Sequence, residues 1–202
     1  MPFHHNLIPV LDKAGIPILL QSIERYQQII DTLQFYGELA GRPEQAQTVI
    51  AEIQSKCQSV IDRNKNHPAP SVLVVFGSPA SFNMATDSSF SGDLVKQLGA
   101  VNIAGKYDGS GGQMGYVPLS MEYVAKQNPD MIFLITHSSD DKINSKFQNE
   151  LANHPAWRGL KAVTDNKVHV LPYNLFAINP GTQVGDAMTV LTGFLYPEVS
   201  KK

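Results

Sequence analysis

The hydrophobic and polar positions fall into two regimes that meet near residue 67. Before it, apolar side chains recur every three or four residues. "LIPVLDKAG" predicts a short helix over 7–15 closed by Gly15, and "IPILL", 16–20, a strand after it. From Ser22 to Ala40, Ile23, Tyr26, Ile29, Ile30, Leu33, Phe35, Tyr36 and Leu39 keep helical register, and Gly41 ends the run. Pro43 opens a second, longer helix that reaches about Asn64, its apolar face carrying Val49, Ile50, Ile53, Cys57, Val60 and Ile61. "NKNHPAP" breaks it.

Beyond that break the character changes. "SVLVVFG", 71–77, is an unbroken apolar run, the pattern of a parallel strand covered on both faces. "SSFSGDLVKQLGA", 88–100, reads as a helix with a serine cap and a glycine stop. "SMEYVAKQN" predicts another helix with Ser120 as cap, "DMIFLITH" a strand, "NSKFQNELANHPAW" a helix, "KVHVLP" a strand and "GTQVGDAMTVLTGFLY" a closing helix. Strands alternating with helices make an α/β lobe with a mostly parallel sheet. Its second long strand runs from Met131 straight into Thr136, His137 and a cluster of serines and aspartates. Ligands in open α/β sheets sit at the carboxyl ends of strands, which makes His137 the first candidate for contact with one.

Composition narrows the classes. The chain has 202 residues, net charge −2 from 16 basic and 18 acidic side chains, and no long run of either sign, so neither nucleic acid nor an anionic membrane is the expected partner. No apolar run approaches the roughly 20 residues that span a bilayer. The opening "MPFHHNLIPV" has no basic n-region and no apolar h-region, so no signal peptide is expected in this chain. Its one cysteine, Cys57, lies on the apolar face of the long helix and reads as a small buried hydrophobe.

Several motifs fail. The glycines of "GSGGQMG", at 109, 111, 112 and 115, miss the dinucleotide spacing, and a flexible loop is expected there. There is no nucleophile elbow and no phosphate-loop lysine motif. His137, Ser138 and Asp140 are sequence neighbours, whereas a catalytic triad converges from separate elements. An α/β enzyme using His137 as general base beside Asp140 or Asp141 is the competing reading, and no second motif supports it. Phe82, Met84 and Ser88 follow the first strand, Tyr107 and Tyr116 flank the glycine loop, and Tyr173 and Phe176 follow "KVHVLP"; each could wall a ligand or pack in the core.

The stretches "LDKAGIPILLQSIERYQQIIDTLQFYGELAGRPEQA", "FNMATDSSFSGDLVKQLGAVNIA", "YVPLSMEYVAKQNPDMIFLITH" and "NHPAWRGLKAVTDNKVHVLP" together resemble one family. The chain looks like the C-terminal two-thirds of an ABC-transporter substrate-binding protein of the siderophore, haem and vitamin B12 class. The resemblance implies a remnant of an N-terminal α/β lobe over 1–41, a connecting helix over 42–66 and a C-terminal Rossmann-like lobe over 67–202. It implies capture, without catalysis, of an iron chelate, delivery to an importer permease, and an extracytoplasmic location. The cleft loops resemble those of the haem-binding lipoproteins of Gram-positive iron uptake. That resemblance makes haem the expected ligand, with a ferric siderophore or a cobalamin-type chelate as alternatives. His137 stands where a histidine of those proteins coordinates haem iron. Glu122 matches the family's glutamate that meets the permease. The methionine that takes iron's other axial position has no counterpart here, and Met84, Met114 and Met121 lie in other segments.

Overall fold

Side chains alternate across β1 (Ser71–Gly77) and β5 (Met131–Thr136), yet nearly all are apolar, because both faces of the sheet are covered. Val72, Val74, Phe133 and Ile135 enter one core layer; Leu73, Val75, Ile132 and Leu134 enter the other. The structure, a computed structural model, describes residues 6–78, 81–105, 107, 115–136, 145, 147, 149 and 152–199.

Among these residues the chain runs through α1 (Ile8–Lys13), α2 (Tyr26–Leu39), α3 (Pro43–Asn64), β1, β2 (Phe82–Ala85), α4 (Phe90–Gln97), β3 (Val101–Asn102), β4 (Tyr116–Pro118), α5 (Met121–Gln127), β5, α6 (Pro155–Arg158), α7 (Lys161–Thr164), β6 (Val168–Val170), α8 (Tyr173–Phe176) and α9 (Val184–Leu195). The sheet order is β4-β2-β1-β5-β6, with β3 paired to the start of β1. β3, β5 and β6 run parallel to the strands they join; β2 and β4 form an antiparallel margin. The α/β class and the parallel centre agree with the sequence reading.

The first layer lies under α2, α3, α4 and α9, and Cys57 is 1% exposed within it. Asp93 of α4 accepts the Tyr26 N–H at 2.8 Å, so a carboxylate from the lobe receives the first donor of α2. Gln28 Oε1 accepts the N–H groups of Glu24 and Arg25, which holds α2's first turn at Tyr26, four residues later than the periodicity suggests. Gly37 lets α2 and α3 close together, since a Cβ there would sit 2.3 Å from that of Ala46. The other layer packs under α5, α6 and α7, centred on Trp157 and Leu160.

Three expectations change. Residues 16–20 form no strand; Ile16, Ile18, Leu19 and Leu20 are at least a third exposed. Their apolar character favours a strand only where a neighbour completes the ladder, and no described strand lies beside them. Second, β2, β3 and β4 were not foreseen: they are four, two and three residues long, too short for a period to show. Third, the predicted helix over 144–157 is helical at Ser145 and Phe147, but His154 then caps a separate turn, its Nδ1 accepting the Ala156 N–H at 3.2 Å. Pro155 at the first helical position marks that restart.

At the amino end of the sheet, Asp130 Oδ2 accepts from the Ser71 backbone N–H (2.8 Å) and hydroxyl (2.7 Å), and its other oxygen pairs with Lys161. The Lys161 ammonium, then the Ser71 donors, hold its carboxyl down at about 2. A depressed folded-state pKa gives stability that is present above the ordinary carboxylate value and is lost as pH falls through about 2. The side chain is 31% exposed, so solvent screening cuts the effect to about 1 kcal/mol. Asp130→Asn is expected to lose that amount at pH 7 and only a small part of it at pH 2; urea denaturation at both pH values checks it. Equal losses at both would show that the carboxylate charge is not responsible.

Candidate functional site

β1, β5 and β6 are parallel, so their carboxyl ends meet at one rim of the sheet. An apolar cavity of about 450 Å³ runs from that rim along the sheet face to the turn before β6. Val75 and Leu134 form its floor, and Gly77, Phe82 and Thr136 its strand-end rim. Its far wall carries Phe147, Trp157, Val163, Val168 and Val170. β2 folds back antiparallel from Gly77, with Phe82 directly opposite that glycine, which places an aromatic ring at the rim. The rings continue inward: Phe82 meets Phe147 edge-on at 6.2 Å, and Phe147 meets Trp157 edge-on at 5.4 Å. Thr136 is the last residue of β5 and lines this cavity, and His137 is next in sequence.

The remaining sequence candidates do not converge. Met84 is fully buried, paired in register with Val75 on one side and Val117 on the other, and shows no surface to the rim. Phe176 is 3% exposed and packs in the opposite layer. Tyr116 packs in that layer too, its ring 5.2 Å from Phe76, and burial pushes its phenol up. Tyr107 lies on the other face, 4.4 Å from the Tyr123 ring, so the two tyrosines beside the glycine loop are separated by the sheet. Ser88 is exposed beyond the far end of β2, its N–H donated to Thr86 Oγ1 at 3.2 Å. Tyr173 is 43% exposed just past the carboxyl end of β6, and of this group it alone accompanies Phe82 at the rim. His137, Ser138, Asp140, Asp141, Met114 and residues 108–114 of the glycine loop lie outside the described residues.

Gly115, which ends that loop, is fixed by geometry. Its φ is +79°, and a Cβ would sit 2.4 Å from the Ser89 nitrogen. Its carbonyl accepts from both the N–H and the hydroxyl of Thr86, at 2.8 and 3.0 Å. Glu122 is exposed in the first turn of α5, where a carboxylate favours the helix dipole. β4 runs in the direction of β1, so α5 begins near the same rim, and the Leu119 N–H donates to the Phe82 carbonyl at 3.1 Å.

Sequence reasoning missed Thr136, Phe147, Trp157, Val163 and the two β6 valines as wall residues. One signal was present for Val168 and Val170: they alternate with His169, which stacks on Phe194 at 4.3 Å on the opposite face and is held low by burial.

The fold has counterparts among known proteins. The High-affinity heme uptake system protein IsdE of Staphylococcus aureus (strain MRSA252) is 30% identical over 200 residues, which cover 98% of this chain and 64% of that protein. The chain therefore spans somewhat under two thirds of that relative. Among solved structures, an ABC transporter substrate-binding protein from Listeria monocytogenes EGD-e matches with a TM-score of 0.83 at 23% identity, over 96% of this chain and 73% of the other. S. aureus IsdE complexed with heme matches with a TM-score of 0.81 at 26% identity, over 95% and 73%. The first likeness speaks for the fold alone. The family described as periplasmic binding protein matches residues 2–175, which hold every strand of the sheet and the helices before it. That family binds ligands rather than transforming them, which leaves the general-base reading of His137 without support. With the fold and the match agreeing over most of its length, the chain belongs to the periplasmic binding protein family.

Proposed function

We propose that this chain captures an iron chelate, foremost haem, and passes it to the permease of an ABC importer outside the cytoplasmic membrane. The observation that carries the reading is the apolar cavity at the carboxyl rim, whose edge residue Thr136 directly precedes His137. A strand end is a rigid support for an iron ligand, and neutral imidazole suits ferric haem. His137 is the proposed iron ligand, with Phe82 and Tyr173 beside the macrocycle. The heme in the names of two similar proteins supports haem over a siderophore or a cobalamin-type chelate. Residues 1–41 are read as belonging to a second lobe, 42–66 as the connector and 67–202 as the ligand-binding lobe. A lipid anchor of the kind found in surface lipoproteins would hold the protein at the membrane.

Glu122 is the proposed permease contact, since it is exposed near the rim that would face the importer. The test is a titration of the chain with ferric haem, a ferric siderophore and cobalamin. Saturable binding of haem, tightest of the three, is expected; a featureless haem titration would overturn the reading. Glu122→Arg should leave that titration unchanged while slowing transfer to a reconstituted importer, and unaltered transfer would remove Glu122 from the contact.

A further inference from the structure

We propose that two copies of this chain associate through residues 16–20, each segment pairing antiparallel with its counterpart across a two-fold axis. The inference does not rest on the chelate reading and concerns a different part of the chain. Among the described residues, thirteen large apolar side chains are more than a third exposed, and nine of them lie between Leu7 and Leu39. Contacts join these nine into one strip. The Ile16 N–H donates to the Leu11 carbonyl at 2.9 Å, which ties the segment to α1. At the other end Gln21 donates to Thr32 Oγ1 at 2.6 Å and accepts from the Tyr36 hydroxyl at 2.8 Å, which lays the segment on α2. Phe35 and Leu39 are exposed beside Tyr36, the two rings 5.8 Å apart. At their exposures the nine side chains show on the order of 800 Å², about one partner's share of a standard interface. A monomer ordinarily exposes apolar patches of only a few hundred Å².

The backbone calls for a strand as the occupant, and the side chains suit an identical one. The N–H and C=O groups of Ile18, Leu19 and Leu20 have no hydrogen-bond partner among the described residues, the condition of an open edge. From Ala14 to Ile23 there is no charged side chain, so two copies meet without like-charge repulsion. Pro17 then sets the register. Residues of an antiparallel pair alternate between hydrogen-bonded and non-hydrogen-bonded positions. Pro17, which has no N–H, suits the second kind, and Leu19, two residues on, shares it. A two-fold axis at Leu19 places Ile18 opposite Leu20 of the second copy, and Leu20 opposite its Ile18. Each of these pairs exchanges both N–H···O bonds, which satisfies the groups left open in the single chain. The two Leu19 side chains meet at the axis, and the interface closes on itself.

Sedimentation equilibrium of the 202-residue chain should show a monomer–dimer equilibrium with a Kd in the micromolar range. Leu19→Lys and Leu39→Lys change exposed positions, so both should keep the circular dichroism of the wild type while weakening the dimer at least about tenfold. Val101→Lys, exposed on β3 outside the strip, should leave it within about twofold. Leu19→Cys tests the axis itself. Facing Cα atoms at a non-hydrogen-bonded pair are about 4.5 Å apart, within disulfide reach, so mild oxidation should link this variant into a covalent dimer. Wild type should stay unlinked, because its one thiol, Cys57, is 1% exposed. A wild-type chain that remains monomeric at roughly 0.5 mM would overturn the proposal and assign the strip to some other covering. So would a dimer that both lysine variants leave intact, or a dimeric Leu19→Cys that resists oxidation.

Discussion

His137→Ala is expected to abolish the histidine-type Soret band of the haem complex while leaving the circular dichroism and the denaturation midpoint of the chain unchanged. The separation of effects follows from position. The core of β5 ends at Ile135, which is fully buried, and Thr136 is the last residue paired across the sheet, to Gly77. The paired strand and its buried core end before His137, so the substitution should register in the ligand and not in the fold. Loss of an axial bond should weaken haem by at least about tenfold, ~1.4 kcal/mol, while apolar contacts retain some of it. An identical Soret spectrum in the variant would remove His137 from the iron and return it to the status of a polar loop residue.

Trp157→Ala should have the opposite signature, a large loss of stability together with a loss of binding. Trp157 is the single tryptophan, 2% exposed, at the centre of the layer beneath α5, α6 and α7 and in the cavity wall. Truncating a buried aromatic of this size costs about 3–5 kcal/mol, a third or more of the stability of an ordinary domain. For a chain of this length that corresponds to a melting temperature roughly 10 °C lower. Trp157→Phe keeps most of the contact with Phe147 and should lose less than half as much. A midpoint shift below ~1 kcal/mol for the alanine variant would mean that this layer does not hold the far wall of the cavity in place.

The parts of the fold legible in the sequence are those whose local pattern has one solution. Residues 71–77 and 131–136 are apolar at every step, and the only economical fate of such runs in an α/β alternation is a strand with both faces covered. Ser89, Ser120 and the glycines at 41 and 99 mark helix ends by chemistry that acts within one turn. What escaped reading depends on partners distant in sequence. "IPILL" has the composition of a strand, but pairing is a property of two segments. Met84 and Phe82 look alike as apolar residues two apart. Their registers decide the difference, since Met84 sits between Val75 and Val117 while Phe82 faces the end of β1.

The site was legible to the same extent. The rule that ligands gather at strand ends pointed to His137, the residue after Thr136, and Phe82 was named for its place after the first strand. Tyr107, Tyr116 and Phe176 were named for sequence proximity to loops, and the sheet sends their side chains to different layers. Phe147 and Trp157 could not be assigned to a wall from sequence, because Phe147 meets Phe82 across more than sixty residues and Trp157 joins them only through Phe147.

Paramagnetic broadening by ferric haem locates the ligand directly. The two rims of the sheet are about 20 Å apart at ~3.3 Å per residue along β1, far enough for the iron to affect one and spare the other. Addition of ferric haem to isotope-labelled chain should broaden the Gly77 and Thr136 amides and the Val170 methyls, while the Ser71 and Asp130 amides stay sharp. Broadening centred instead on Leu19, Leu20 and Leu39, or spread evenly over both rims, would contradict a ligand held at the carboxyl ends of the strands.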